Sequence, residues 1–230
     1  VGDVVSLLDR PVYTYAEADR LLHLTPGTAK RWINGYERGG RWYDPVLRER
    51  PRETPWVTWG EFTETRLLAE YRAALVPMIK LRPVVAWLRD QLQKRYPLAY
   101  GSTFVRPDGR ELLVRAQEAA GLEQGLWMVV PSGQGALLTT GALRYQQATH
   151  FLEETGPAES IVADAGTPHV LFHPGRREGQ PTVDGIRTRT IAELVSAGEP
   201  IDFVAATYDL PVDVVEQAVS YEASQRRRAA

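Results

Sequence analysis

The sequence predicts a mainly α protein with small β elements. It is arranged as an N-terminal winged helix-turn-helix, a small central α+β region and a C-terminal three-helix, helix-turn-helix-like bundle. Three observations carry this. Thr14 precedes Glu17 by three residues ahead of apolar Ala18, Leu21 and Leu22, a helix-start signature, and a second, basic helix follows at once around Lys30 and Arg31. Asp184-Gly185 separates two short runs that can pair as a hairpin. Beyond it, Ile191, Leu194 and Val195, then Ile201, Val204 and Ala205, then Val212, Val215 and Val219 recur at helical spacing, punctuated by Gly198 and by Asp209-Leu210-Pro211. On this reading the segments are 12–97, 98–167, 168–223 and a tail, 224–230, expected to be disordered.

Residues Val1–Pro11 are a strand or an arm; the pattern does not choose. The first helix follows Thr14, with His23-Leu24 as the turn. Thr25-Pro26 predicts the start of the second helix, a threonine N-cap with proline at the first helical position. Ala29, Trp32 and Ile33 form its buried side, which leaves Thr25, Thr28, Lys30 and Arg31 where base edges and phosphates would be met. Arg38, Arg41, Trp42, Tyr43, Arg48, Arg50 and Arg52 come next, broken by Gly39, Gly40, Pro45, Pro51 and Pro55. That composition predicts a β wing whose arginines, Arg38 and Arg41 foremost, would flank a groove and its phosphates. A long helix is expected over Glu61–Ala74, and another starting at Arg82-Pro83 with Val84, Val85, Trp87, Leu88 and Leu92. A helix-turn-helix, an arginine-bearing wing and a tryptophan-led helical pair resemble the N-terminal domain of MerR-type regulators over residues 12–97. The resemblance implies DNA binding. It does not extend to metal sensing, for which MerR-type sensors rely on cysteines that this chain lacks.

In the middle, Phe104-Val105 and Glu111–Val114 flanking Pro107-Asp108-Gly109 read as a hairpin, Leu126–Val130 as a strand, and Gly141–Glu154 as a helix with Leu143, Gln147 and Phe151 in line. Glu159–Ala163 and His169–Phe172 read as two further short strands. Then Pro181–Val183 pairs with Ile186–Thr188 across Asp184-Gly185, and Thr190 with Glu193 predicts a capping box for the helix that Gly198 closes. A second short helix and a third, begun at Pro211, complete the bundle.

Gly179-Gln180-Pro181, the tight Asp184-Gly185 turn, Arg187, a short helix and an acidic trihelical tail resemble a small bacterial domain typical of VapB-type antitoxins, the partners of PIN-like ribonuclease toxins. The chain departs from that pattern at Gly185-Ile186-Arg187, which polar Thr188 and Arg189 follow instead of an aliphatic strand. The resemblance implies an antitoxin of a type II toxin–antitoxin pair. Its arginines, here Arg187, Arg189, Arg226, Arg227 and Arg228, would pair with the toxin's metal-holding carboxylates. Asp213, Glu216 and Glu222 make the third helix of this bundle acidic, which argues against DNA reading by it.

Composition narrows the functions further. With 27 basic and 29 acidic residues the 230-residue chain has a net charge of −2, so any basic footprint is local. The absence of cysteine removes disulfides and thiolate metal sites. Val4, Val5, Leu7 and Leu8 form too short an apolar run for a signal peptide or membrane helix, so a soluble, cytoplasmic protein is expected. His169 and His173 read as extended, which sets the rings roughly 13 Å apart, too far to share a metal. Adjacent Glu153 and Glu154 diverge, and Ser132-Gly133-Gln134-Gly135 lacks the lysine of a phosphate loop. No enzyme activity, cofactor or metal is expected. The expected partners are operator DNA, a ribonuclease toxin and a second copy of the chain, since operators are near-palindromic. The rival readings are a one-component regulator responding to a small apolar ligand, and an adaptor that binds no DNA.

Overall fold

The computed structural model describes residues 6–133 and 135–229. The chain divides into two compact units, 1–159 and 160–230. Of the N-terminal arm, Val1–Val5 lie outside the described residues, while Leu7–Asp9 form a 3-10 turn.

In the first unit β1 (Pro11–Thr14) leads into α1 (Tyr15–Leu21), begun by the expected capping box between Thr14 and Glu17. Then come α2 (Thr28–Asn34), β2 (Tyr36–Arg38), β3 (Arg41–Tyr43) and β4 (Trp56–Thr58), which returns to pair antiparallel with β1. α3 (Trp59–Ala73) is the central helix of this unit. It carries a second capping box, Thr58 with Glu61, and is buried on nearly every side. Its buried Thr63 and Thr65 hydroxyls donate back to the Trp59 and Glu61 carbonyls, so neither is left without a partner in the core. Phe62, Leu67, Leu68 and Tyr71 face inward.

Several expectations fail in this unit for identifiable reasons. α4 (Met78–Leu92) starts four residues before Arg82 and carries Pro83 in its interior, where the ring removes the helical bond to the Ile79 carbonyl; burial of Leu81, Val84, Val85 and Leu88 holds the helix across that gap. The hairpin expected at Phe104–Val114 is instead α5 (Ser102–Val105) and α6 (Pro107–Ala119). Pro107-Asp108-Gly109 is a helix start, with proline at the first position, and Gly109 lets the two helices touch. A Cβ there would stand 2.0 Å from the Ser102 carbonyl oxygen. Gly109, Leu113, Ala116 and Gln117 form the buried face of α6. The buried Gln117 amide anchors β5 (Val129–Ser132) by accepting from Met128 N–H at 2.5 Å and donating to Val129 O at 2.8 Å.

β5 lies three residues later than expected and pairs with β6 (Gly135–Leu138), which the sequence did not suggest. α7 (Thr140–Ala148) is shorter than Gly141–Glu154. It buries Ala142 and Tyr145 rather than Leu143 and Gln147, and Phe151 belongs to β7 (Thr149–Phe151).

In the second unit β8 (Ala158–Asp164), β9 (Thr167–Phe172), β10 (Thr182–Val183) and β11 (Ile186–Arg187) lie in the order β11-β10-β9-β8. The hairpin register is as expected, Val183 opposite Ile186, with positive φ at both Asp184 (46°) and Gly185 (80°). α8 (Thr188–Ser196) begins two residues before Thr190, and no capping box forms. Thr188 is fully buried, its Oγ1 2.5 Å from Glu222 Oε1, so the chain passes from strand to helix with that hydroxyl satisfied inside. Gly198 closes α8, with Glu199 N–H bonded to Leu194 O and Gly198 N–H to Val195 O. α9 (Ile201–Tyr208) follows, then α10 (Val212–Ala229).

α10 buries Val214, Val215, Ala218 and Tyr221, so Val212 is exposed and Val219 half-buried, contrary to the expected Val212–Val215–Val219 stripe. The tail expected to be disordered from residue 224 continues this helix to Ala229.

Candidate nucleic-acid interface

The helix-turn-helix is locked by a residue that the sequence pattern did not single out. Asp19, buried on α1, accepts from the backbone N–H groups of Gly27 (2.6 Å) and Ala29 (2.7 Å). A carboxylate from the first helix thus satisfies donors at the start of the second. This is why α2 begins at Thr28 and not at Thr25-Pro26. The cap comes from across the turn, and Thr25-Pro26-Gly27 is the turn itself. The fold therefore corrects the expected role of Thr28. Its side chain is buried, and its Oγ1 is shared between Thr25 Oγ1 and the Arg31 guanidinium, each at 2.8 Å. Thr28 orders the helix start, while Thr25, Lys30 and Arg31 are exposed and Ala29, Trp32 and Ile33 buried.

The wing is a two-stranded hairpin turning at Gly39-Gly40, both at positive φ. Gly35 joins it to α2, also at positive φ (78°), where a Cβ would meet the Tyr43 carbonyl oxygen at 2.7 Å. Alternation puts Tyr36, Arg38, Arg41 and Tyr43 on one face. The two tyrosine rings stack at 4.8 Å, Arg41 lies over the Tyr43 ring at 5.3 Å, and Arg38 stands directly opposite Arg41. Like charges facing each other across a ladder are unfavourable, and neither arginine has a carboxylate partner among the described residues.

Arg48, grouped by sequence with the wing arginines, is buried. Its guanidinium donates to both Glu61 oxygens (2.6 and 2.9 Å), to Tyr15 Oη (2.8 Å), to Asn34 Oδ1 (2.7 Å) and to the Trp56 carbonyl (3.1 Å). Burial works against the charge, but hydrogen bonding and attraction to Glu61 outweigh it and raise the Arg48 pKa. Arg48 therefore ties α1, α2, β4 and α3 together and is withheld from any phosphate.

In the second unit, Arg187 faces Glu178 at 3.7 Å, Arg189 pairs with Glu193 at 2.7 Å, and Arg228 approaches Asp164 at 3.6 Å. Arg226 and Arg227 are exposed. The Thr188–Glu222 contact sets the start of α8 beside the middle of α10, whereas Arg228 reaches Asp164 at the β8–β9 turn, so the five expected arginines are all exposed but Arg187 and Arg189 stand apart from Arg228. Among the described residues no group of three or more His, Cys, Asp or Glu could hold a metal ion, and no helix is long and apolar enough to cross a membrane.

Residues 11–85 match a family model described as "Putative DNA-binding HTH domain", which makes α1 and α2 the helix-turn-helix of a domain of that description. Over 228 residues the chain is 42% identical to the Mycobacterium tuberculosis protein Rv2308, across 97% of this chain and 94% of that one. The chain belongs to the Rv2308 family. It is also 28% identical over 231 residues to a second protein of that organism, named "Putative antitoxin VapB45", covering 92% of this chain and 93% of the relative. The fold matches the X-ray crystal structure of Rv2018 from Mycobacterium tuberculosis with a TM-score of 0.71 at 24% identity, over 92% of this chain and 98% of that one.

Proposed function

We propose that the protein is an antitoxin of the VapB type that binds operator DNA through its first unit and a PIN-like ribonuclease through its second. The observation that carries the DNA half is the wing face, where Arg38 and Arg41 oppose each other beside two stacked tyrosines with no counter-ion among the described residues. A phosphate between the two guanidiniums would turn that repulsion into two charge-assisted contacts. Lys30 and Arg31, exposed on α2, supply the recognition-helix contacts, and Thr25 at the turn a further donor. A homodimer doubles the site on a two-fold operator.

The toxin half is supported by the exposed arginines of the second unit and by the likeness to the relative named as an antitoxin. Arg226 and Arg227 would pair with the nuclease's metal-holding carboxylates, with Arg187, Arg189 and Arg228 released from Glu178, Glu193 and Asp164 to join them. The protein acts by binding and catalyses nothing itself.

The test is to isolate the tagged full-length chain from its native host, identify co-purifying ribonuclease and assay cleavage with and without the chain. The parent is expected to silence the nuclease, and the Arg226→Ala/Arg227→Ala variant to do so at least about tenfold less tightly, on the order of 1.4 kcal/mol. Nuclease activity indifferent to the added chain contradicts the toxin half.

A further inference from the structure

The first unit holds a cavity of about 670 Å³ where the turn after α1, α2, the wing base, the end of α3 and the start of α4 converge. Its volume falls in the range of pockets that enclose one small organic ligand. One wall is apolar, formed by Leu22, Trp32 and Met78, and the stacked rings of Tyr36 and Tyr43 supply a flat aromatic side. Its charges are unbalanced. Arg31, Arg72 and Arg82 contribute three guanidiniums against the single carboxylate of Asp44. That carboxylate already accepts from Trp42 Nε1 (3.1 Å) and Arg82 (3.4 Å).

Arg82 is further committed to the Pro45 and Asp44 carbonyls, and Arg31 gives one N–H to Thr28. Arg72, exposed at the end of α3, has no counter-ion among the described residues. The complement of this lining is a flat apolar ring carrying one negative group, with its ring on Trp32 and the tyrosines and its anion on Arg72 and Arg31. We infer that the cavity binds a small aromatic carboxylate and that its occupation lowers affinity for DNA. Arg31 belongs both to the cavity and to the exposed face of α2, so a bound carboxylate draws that guanidinium from phosphate.

The DNA effect rests on the duplex-binding reading above; occupancy of the cavity does not, and the experiment separates them. Calorimetric titration of the full chain with 1-naphthoate and with uncharged 1-naphthamide reads the site without any DNA. The parent is expected to prefer the carboxylate by about tenfold or more. Arg72→Glu, at a side chain with no counter-ion among the described residues, is expected to erase that preference while binding the amide as the parent does. Ala69→Phe, which fills the cavity, is expected to bind neither, with unchanged circular dichroism. Saturating 1-naphthoate is then expected to weaken duplex binding by the parent and not by Ala69→Phe. Equal binding of acid and amide by the parent, or parent-like binding by Ala69→Phe, overturns the site. Duplex affinity unmoved by saturating 1-naphthoate overturns its effect on DNA binding.

Discussion

If Asp19 sets the start of α2, its loss destabilises the helix-turn-helix before anything else in the first unit. Asp19→Ala removes the acceptor of two short N–H bonds, at 2.6 and 2.7 Å, and leaves the exposed Gly27 and the buried Ala29 donors without it at the helix start. A hydrogen bond to a charged acceptor contributes about 1.5–3 kcal/mol, and loss of a helix cap costs about 0.5–2 kcal/mol. Burial raises the Asp19 carboxyl pKa despite these donors, so part of that gain is spent in desolvating the charge. The two effects place the cost of Asp19→Ala at about 2–3 kcal/mol. Asp19→Asn keeps one acceptor oxygen and turns an NH2 toward the other donor, so it is expected to recover less than half of the loss. Urea unfolding reads the total, and hydrogen exchange at the Gly27 and Ala29 amides reads the place. Parent-like stability and unchanged protection at both amides in Asp19→Ala would refute the reasoning.

Arg48→Met leaves Glu61 buried without its guanidinium and is expected to cost about 3–5 kcal/mol in urea unfolding. It should also loosen the end of α2, since Asn34 loses its Arg48 contact, which hydrogen exchange checks. Glu64 is buried in α3, with Oε1 accepting from Leu98 N–H and Oε2 without a partner among the described residues. Burial raises its carboxyl pKa to about 8, with Leu98 N–H and Arg89 acting the other way and Glu61 adding to the rise. A raised folded-state pKa gives stability that is complete below the ordinary carboxylate range and lost as pH rises through about 8. Relative to the parent, Glu64→Gln should therefore gain about 2–3 kcal/mol between about pH 6 and pH 8, at about 1.4 kcal/mol per pH unit, and level off above that. Parallel urea midpoints for the two proteins across that range would contradict it.

The parts legible in the sequence are those whose signals are local. Thr14 with Glu17 fixed one helix start, Asp184-Gly185 one hairpin, and Gly198 one helix end, each through contacts made within a few residues. The parts that were not legible depend on partners distant in sequence or on ambiguous punctuation. The Asp19 cap acts across the turn on residues eight and ten positions away, so the nearer Thr25-Pro26 took its place in the reading. Arg48 shares a composition with the exposed wing arginines, and only its Glu61 partner thirteen residues on reveals it as buried. Pro107-Asp108-Gly109 suits a turn and a helix start equally, and the close approach of α5 that decides between them is a tertiary contact. In the candidate interface Lys30, Arg31, Arg38 and Arg41 were found as exposed cations because their positions follow from helix and strand periodicity. Thr28 was misread because its hydroxyl has two neighbours that the spacing does not show.

The central claim is that exposed cations on α2 and the wing meet DNA phosphates, and the salt dependence of duplex binding tests it most directly. Binding of the full chain to duplex DNA from upstream of its own gene is measured over a range of salt, beside the Lys30→Ala/Arg38→Ala/Arg41→Ala variant. None of these three side chains forms an ion pair among the described residues, so the fold should be unchanged. At about 0.9 per phosphate contact, the log–log slope is expected to shrink by about 2.7, with affinity falling at every salt concentration. A variant that keeps the parent's slope would contradict the account.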